Sequence, residues 1–170
     1  EPEPKRLHTD GHPLPGVEMR LDGHGEISSR GPDCFVGYTD PALTASVFDD
    51  EGWYRTGDVG VLDDDGYLTI TDRVSDIIIR GGENVAPAEI ETVLLRHPAV
   101  AECAVIGVPD EHWGQRIAAV VVVAGEATED ELRDWCREHL RGSKTPDHIE
   151  FRADLPYTDT GKLLRRILRD

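Results

Sequence analysis

The sequence predicts an α+β fold in two parts, a β-rich first part followed by a small mixed sheet-and-helix domain. Three observations lead to this prediction. Residues 1–72 contain short alternating segments separated by frequent turn signals. Residues 73–170 alternate strand and helix patterns, with the stronger apolar runs. We do not expect the first 72 residues to close a core of their own, so they are interpreted as the edge of a larger body.

The first part begins with EPEPKRLHTDGHPLPG, which predicts a loop. Because residue 1 is Glu rather than Met, we expect a preceding part of the protein to be missing from this chain. Residues 17–21 and 26–29 alternate apolar and polar side chains on either side of DGHG, which predicts a hairpin. The pair Asp40-Pro41 predicts a short helix that runs to Val47.

A second hairpin is predicted from residues 59–62 and 67–71, which flank the sequence DDDG. Three consecutive aspartates could suggest a metal loop, but the other ligands of a calcium loop are absent. Asp and Gly are also the ordinary residues of tight turns. We therefore predict a plain turn here and no metal site.

The second part shows β-branched runs typical of buried strands and two amphipathic helices. One of these helices places Leu132, Trp135, Cys136 and Leu140 on a single face. The predicted elements are a strand at 76–79, a helix at 87–96, strands at 100–108 and 117–123, a helix at 129–140, a strand at 148–152 and a final helix after Gly161.

Charge excludes one class of partner. Lys and Arg number 18 against 34 Asp and Glu, a net charge of −16, and such a field repels nucleic acid and anionic membranes. The last residues are the exception, because Lys162, Arg165, Arg166 and Arg169 fall within eight positions. They could form the solvated end of a basic helix or a patch that handles an anion, and composition leaves both open.

Cysteine usage and hydropathy bear on the compartment. Cys34, Cys103 and Cys136 lie far apart and show neither a disulfide framework nor zinc-ligand spacing. The N-terminus does not resemble a signal peptide, and the longest apolar run, residues 117–124, is far shorter than the roughly 20 residues of a membrane helix. We predict a cytoplasmic protein without a transmembrane segment.

Three segments carry chemistry. YRTGD at 54–58 ends in a carboxylate that could accept hydrogen bonds from a ribose diol. TDRVSDIIIRGGENVAPAEIE at 71–91 contains adjacent glycines, which let a backbone or a narrow ligand approach closely but also suit a bulged hairpin. LPYTDTGKLLRR at 155–166 places a lysine after a glycine turn, without the spacing of a P-loop. That lysine could hold a phosphate or carboxylate as a point charge.

Together the three motifs resemble the adenylate-forming (AMP-binding) superfamily, which includes acyl-CoA synthetases, firefly luciferase and peptide-synthetase adenylation domains. The resemblance covers essentially the whole chain. It implies that residues 1–72 are the end of the large N-terminal domain and that residues 73–170 are a mobile C-terminal domain. GGENVAPAEIE looks more like acyl- and aryl-CoA synthetases than amino-acid adenylation domains.

The resemblance also implies roles for individual residues. Asp58 would hold the ribose hydroxyls of ATP, with Arg73 supporting the ribose and phosphate side. Lys162 would be the catalytic lysine of adenylation, and Ser75 the hinge, where the family usually has Asp or Lys. After rotation about the hinge, the hairpin with Gly81 and Gly82, and with Glu83 and Asn84 alongside, would line the thiol tunnel.

The implied activity is an AMP-forming acid–thiol ligase that uses ATP, Mg²⁺ and CoA, acting on a fatty or aryl acid. The family's phosphate loop and its magnesium-binding Glu lie upstream of the motifs in this chain, so Mg²⁺ would be bound mainly by the N-terminal part. We therefore expect the chain alone to be inactive. Two alternatives stay open: an enzyme that loads a carrier protein's phosphopantetheine, and a binding module that has lost catalysis.

Overall fold

A computed structural model describes residues 3–169 and divides the chain into two compact units, one that ends at Ser75 and one that begins at Asp76. None of the helices between residues 3 and 169 has the length and hydropathy needed to cross a membrane.

The first unit is built on a four-stranded antiparallel sheet in the order β1-β2-β3-β4. Ile27 and Trp53 are its buried apolar residues, and the guanidinium groups of Arg20 and Arg30 lie 4.3 and 4.6 Å from the Trp53 ring. Its elements are α1 (Glu3–His8), β1 (Glu18–Leu21), β2 (Glu26–Arg30), α2 (Pro41–Val47), β3 (Tyr54–Leu62) and β4 (Leu68–Arg73).

Both predicted hairpins and α2 are present, and Asp40 caps α2 by accepting from the Ala42 N–H at 2.8 Å. Two predictions were wrong. The N-terminal stretch is not all loop, because residues 3–8 form α1, which is fixed by ion pairs from Lys5 to Asp63 and Asp65. Strand β3 begins at Tyr54 rather than at residue 59, because Tyr54 and its neighbour pair with β2 despite their polar context.

The second unit contains a five-stranded sheet in which β8 is central. Strand β7 pairs with β8 along the whole length of β7. On the other side of β8, β5 pairs with its first residue, Gly114, and β9 pairs with it in parallel farther along. The elements are β5 (Ile78–Arg80), β6 (Glu83–Val85), α3 (Pro87–Leu94), β7 (Val100–Asp110), β8 (Gly114–Val123), α4 (Glu129–His139), β9 (His148–Phe151) and 3-10 helices at Gly142–Lys144 and Arg165–Leu168. This mixed sheet-and-helix domain confirms the predicted fold class.

Alternation along β7 and β8 creates an apolar face on each side of the sheet. One face, with Val105, Ile117 and Val121, packs against α3 and α4 in the main core. The other face is covered by the C-terminal segment, which contributes a second set of buried residues. That set consists of Ala104, Ile106, Val120, Leu155 and Leu168, with Leu163 packed against it. The third motif is therefore held to the sheet by apolar contacts from Leu155 and Leu163 within it and from Leu168 just after it.

Two details of this unit differ from the prediction. Strand β6 was not among the strands predicted from periodicity, although the hairpin expected at Gly81 and Gly82 requires it; it pairs with β5, and the two glycines form the turn between them. The final element is a short 3-10 helix rather than a helix that begins after Gly161. Leu163 instead forms a β-bridge with Tyr157, because the backbone turns back at Gly161 with φ of +80°.

Candidate functional site

Asp58 and Arg73 form an ion pair in the first unit. They are register partners on β3 and β4, and Arg73 Nε lies 2.7 Å from Asp58 Oδ1. Thr56 supports the start of this site, because its hydroxyl donates to the Ile27 carbonyl at 2.9 Å and accepts from the Asp58 N–H at 3.1 Å. The Asp58 side chain keeps 22% of its surface exposed and Arg73 keeps 55%. The pair is thus oriented by the sheet and still accessible to a ligand.

Ser75 lies in the turn that links the two units. The Val74 N–H donates to the Gly57 carbonyl at 2.8 Å, which ties the residue before Ser75 to the first unit. Asp76, the residue after it, forms ion pairs with Arg165 and Arg169 of the second unit, at 3.5 and 3.3 Å. Ser75 therefore lies between Val74, whose backbone is bound to the first unit, and Asp76, whose side chain is bound to the second.

The predicted tunnel residues form an exposed hairpin, the glycine hairpin (residues 80–85). Gly81 has φ of +58°, and a Cβ there would come within 2.9 Å of the Trp113 ring. The Gly81 N–H donates to the Trp113 carbonyl at 2.8 Å. Gly82 also has positive φ, +85°, but no atom lies within 4 Å of a Cβ built there. Glycine is needed at 81 for both conformation and space, and at 82 for conformation alone.

The base of the glycine hairpin is rigidly supported. Arg80 donates to the Ser143 carbonyl at 2.8 Å and pairs with Asp147 at 2.6 Å, and its guanidinium lies 5.5 Å from the Trp113 ring centroid. Asp110 accepts from the N–H groups of Trp113 and His112 at 3.0 Å each. These backbone donors hold the pKa of Asp110 below its usual range. The Trp113 ring thus lies against Gly81 and Arg80 although it is 54% exposed.

Lys162 is held in a five-residue turn, the lysine turn (residues 158–162). The Gly161 N–H donates to the Thr158 carbonyl, and the Thr158 N–H donates to the Lys162 carbonyl, both at 2.8 Å. The Lys162 N–H donates to Thr158 Oγ1 at 3.0 Å. Both backbone polar groups of Lys162 are therefore bound by Thr158, while its side chain is exposed.

The three lysines of the chain differ in their surroundings. Lys5 pairs with Asp63 and Asp65, and Lys144 pairs with Glu89. No carboxylate within residues 3–169 lies in ion-pair distance of the Lys162 ammonium. In a chain of net charge −16, an exposed ammonium without such a partner is suited to bind an anion supplied from elsewhere.

Arg165 anchors the lysine turn to the edge of the sheet. Its guanidinium donates to both Glu91 oxygens, at 2.5 and 3.1 Å, and to the Val105 carbonyl at 3.0 Å. Glu91 Oε1 also accepts from the Val105 N–H at 2.7 Å. Because β7 is an edge strand, this pair satisfies polar groups that would otherwise point away from the ladder. The basic cluster was interpreted either as the solvated end of a helix or as an anion-binding patch. Arg165 fits neither interpretation, because its guanidinium binds Glu91 and the Val105 carbonyl and so fixes the C-terminal segment to β7.

A second anchor lies just before the turn. The Tyr157 hydroxyl donates to Glu102 at 2.8 Å, which raises the pKa of Tyr157 above its usual range, with partial burial adding to the effect.

Sequence reasoning missed Thr158, Arg165, Glu91 and Asp76 as supporting residues. The signal for Arg165 and Glu91 was weak, since each is one charge among many; Thr158 could have been found from its position four residues before a lysine in a glycine turn.

The predicted residues fall into separate groups. Asp58 and Arg73 are in contact within the first unit, and the glycine hairpin and the lysine turn both belong to the second unit. Within residues 3–169, no group of three or more His, Cys, Asp or Glu side chains is arranged to hold a metal ion. These residues therefore do not themselves form a Mg²⁺ site.

Comparison with known proteins decides the family. Residues 89–162 match the family described as the AMP-binding enzyme C-terminal domain. A relative from Rhodococcus jostii (strain RHA1), 3-[(3aS,4S,7aS)-7a-methyl-1,5-dioxo-octahydro-1H-inden-4-yl]propanoyl:CoA ligase, is 46% identical over 165 residues, which is 95% of this chain and 32% of that protein. Residues 89–162 of this chain are an AMP-binding enzyme C-terminal domain.

Solved structures agree with this family in fold. ATP-bound MatB from Rhodopseudomonas palustris superimposes with a TM-score of 0.90 at 36% identity, over 95% of this chain and 35% of that one. The o-succinylbenzoate CoA synthetase MenE from Bacillus subtilis, in complex with the acyl-adenylate intermediate OSB-AMP, has a TM-score of 0.86 at 39% identity, over 98% and 36%. The chain thus spans about a third of the length of the relatives it matches.

Proposed function

We propose that the full-length protein that contains this chain is an AMP-forming acid–CoA ligase working through an acyl-adenylate. The observation that carries the proposal is Lys162, whose backbone is fixed by the lysine turn and whose exposed ammonium has no carboxylate partner within residues 3–169. This arrangement lies in a chain 46% identical to a named CoA ligase. A cation held in position by its backbone is what a reaction between two anions requires.

In the first half-reaction, a carboxylate oxygen attacks the α-phosphorus of ATP, and the bond to pyrophosphate breaks. Negative charge on the attacking carboxylate and on the α-phosphate must be neutralised at the same moment. We assign this to Lys162. Asp58 would accept hydrogen bonds from the ribose hydroxyls, and Arg73 would orient that carboxylate and support the ribose and phosphate side.

In the second half-reaction, the CoA thiolate sulfur attacks the acyl carbon, and AMP leaves with the electrons of the broken C–O bond. We propose that the second unit then turns about Ser75, which withdraws Lys162 and brings in the glycine hairpin. A small residue absorbs such a backbone change readily. Gly81 and Gly82, with Glu83 and Asn84 beside them, would line the tunnel through which the pantetheine arm reaches the adenylate.

Substrates and location belong to the same proposal. ATP, CoA and a carboxylic acid are the small-molecule partners, Mg²⁺ would enter with ATP on residues outside this chain, and the N-terminal domain of the same enzyme would be the protein partner. We propose a cytoplasmic enzyme because its cysteines are free thiols, which suits a reducing compartment. The printed names of the relatives include two ring-bearing acids and a Mycobacterium tuberculosis fatty acyl CoA synthetase, so both fatty and aryl acids belong in the substrate panel.

The test is product analysis with the full-length protein. A panel of carboxylic acids is incubated with ATP and CoA, and AMP, pyrophosphate and acyl-CoA are measured. The proposal expects AMP and acyl-CoA in equal amounts for at least one acid, and no product with the 170-residue chain alone. Thioester formed only on a phosphopantetheinylated carrier protein would favour the carrier-loading alternative. Nucleotide binding without AMP release would favour a non-catalytic binding module.

A further inference from the structure

The lysine turn has three counterparts in the first unit, at residues 22–26, 49–53 and 63–67. In each, the N–H of the first residue donates to the carbonyl of the fifth, and the N–H of the glycine at the fourth position donates back to the first residue's carbonyl. The lysine turn makes the same two bonds, from Thr158 and Gly161. This is the geometry of a hairpin turn closed by a glycine in the left-handed region.

The side chain of the first residue caps each of these turns. Asp22, Asp49 and Asp63 use Oδ1 to accept the N–H of the fifth residue at 2.9 Å. In the lysine turn the cap is the hydroxyl of Thr158, which accepts the Lys162 N–H at 3.0 Å. The cap is thus anionic in three turns and neutral in the turn that presents Lys162.

The difference matters because a carboxylate has a second oxygen. Asp49 caps its turn with Oδ1 while Oδ2 binds Arg20 at 2.6 Å. Asp63 likewise caps with Oδ1 while Oδ2 binds Lys5. Backbone donors stabilise the ionised form of such an aspartate. In two of the three acidic turns, the capping residue therefore also holds a nearby cation.

We propose that Thr158 is a positioning residue for Lys162, fixing the lysine backbone through a neutral cap that leaves the ammonium available to substrate anions. A hydroxyl supplies one acceptor oxygen and no charge, so it orders the turn without offering Lys162 an internal ion pair. The inference rests on the proposed role of Lys162 in adenylation. It adds that the choice of Thr over Asp at this position serves the reaction, since Asp serves the turn equally well elsewhere in the chain.

The test compares four substitutions in the full-length protein: Thr158→Ser, Thr158→Asn, Thr158→Asp and Thr158→Val. Asn and Asp both cap turns through a side-chain oxygen and are matched in size, so the main difference between them is the charge, with one carboxylate oxygen replaced by an amide nitrogen. We measure the adenylation half-reaction from ATP and acid, the thioester half-reaction from pre-made acyl-adenylate and CoA, and hydrogen exchange at the Lys162 amide.

The proposal expects Thr158→Ser and Thr158→Asn to keep adenylation within a few-fold of wild type. Thr158→Asp is expected to lower kcat of adenylation by about tenfold or more while protecting the Lys162 amide. Thr158→Val is expected to lose that protection together with adenylation. The thioester half-reaction should be unchanged in all four, which a general loss of structure would not allow.

Lys162→Ala is assayed in parallel to separate the two claims. If Lys162→Ala abolishes adenylation but Thr158→Asp matches Thr158→Asn, the role of Thr158 as a neutral cap is overturned while the proposed function stands. If Lys162→Ala leaves adenylation intact, the assignment of Lys162 fails and the inference fails with it.

Discussion

Arg73 and Asp58 face each other across β3 and β4, with Nε and Oδ1 2.7 Å apart, at the end of the first unit's sheet. The register of the strands sets this distance, so the pair is formed before any nucleotide binds. Arg73 is more than half exposed, and an ion pair of that kind contributes little to stability. We interpret it as orienting the Asp58 carboxylate.

Asp58→Asn should raise the KM for ATP by about tenfold, because the amide nitrogen cannot accept a hydrogen bond and the charge that orients Arg73 is lost. Initial rates against ATP concentration give the value. Asp64→Asn is the matched control, since it removes one charge from the exposed tip of the same hairpin. Equal KM values for the two variants would remove Asp58 from the nucleotide site.

Gly81→Ala should impair thioester formation more than Gly82→Ala. Both glycines have positive φ, so both substitutions strain the backbone, at about 1 kcal/mol each. Only at position 81 would the new Cβ also meet Trp113, at 2.9 Å. The rate from pre-made acyl-adenylate and CoA checks this, with adenylation as the internal control. Equal effects of the two substitutions would mean that the contact with Trp113 has no functional weight.

Arg165→Met should destabilise the second unit by about 2 kcal/mol, because it leaves Glu91 without its guanidinium partner. The cost is less than for a fully buried pair, since both side chains are partly exposed. Hydrogen exchange at the β7 amides near Val105 measures the effect. Arg166→Met is the control, as Arg166 is exposed and lies in the same 3-10 helix. Unchanged exchange in Arg165→Met would show that the clamp on β7 is dispensable.

The thiols should differ in reactivity toward iodoacetamide at pH 8. Burial raises the pKa of Cys103 to about 12 and that of Cys136 to about 11, so their reactive thiolate forms are scarce. Cys136 is also fully buried. Mass spectrometry of the native protein should find Cys34 modified first and the other two only after denaturation. Rapid labelling of Cys136 in the native Cys34→Ser variant would contradict the packing of α4.

The fold class and the main elements were predictable where a single period dominates the sequence. Helix α4 follows from its apolar face, and β7 and β8 follow from β-branched runs. The three-residue strand β6 was missed because it is too short to show alternation. Helix α1 was missed because ion pairs from Lys5 to distant residues, rather than its own sequence, stabilise it.

In the candidate site, too, some residues were predictable from the sequence and others were not. Residues named by the motifs could be listed from the sequence, and their roles remain predictions. Their support could not be listed, because it depends on tertiary neighbours: Glu91 lies 74 residues from Arg165, and Glu102 lies 55 from Tyr157. Local periodicity carries no information about such pairs.

The measurement that bears most directly on the central claim uses the full-length protein with Lys162→Ala and, as a charge-matched control, Lys144→Ala. Lys144 is paired with Glu89, so its loss removes the same charge from the same unit without emptying the lysine turn. Each variant is assayed in the two half-reactions separately. We expect Lys162→Ala to lower adenylation by at least about a hundredfold and to spare thioester formation from pre-made acyl-adenylate, while Lys144→Ala keeps both. Adenylation that survives Lys162→Ala at the level of Lys144→Ala would contradict the account.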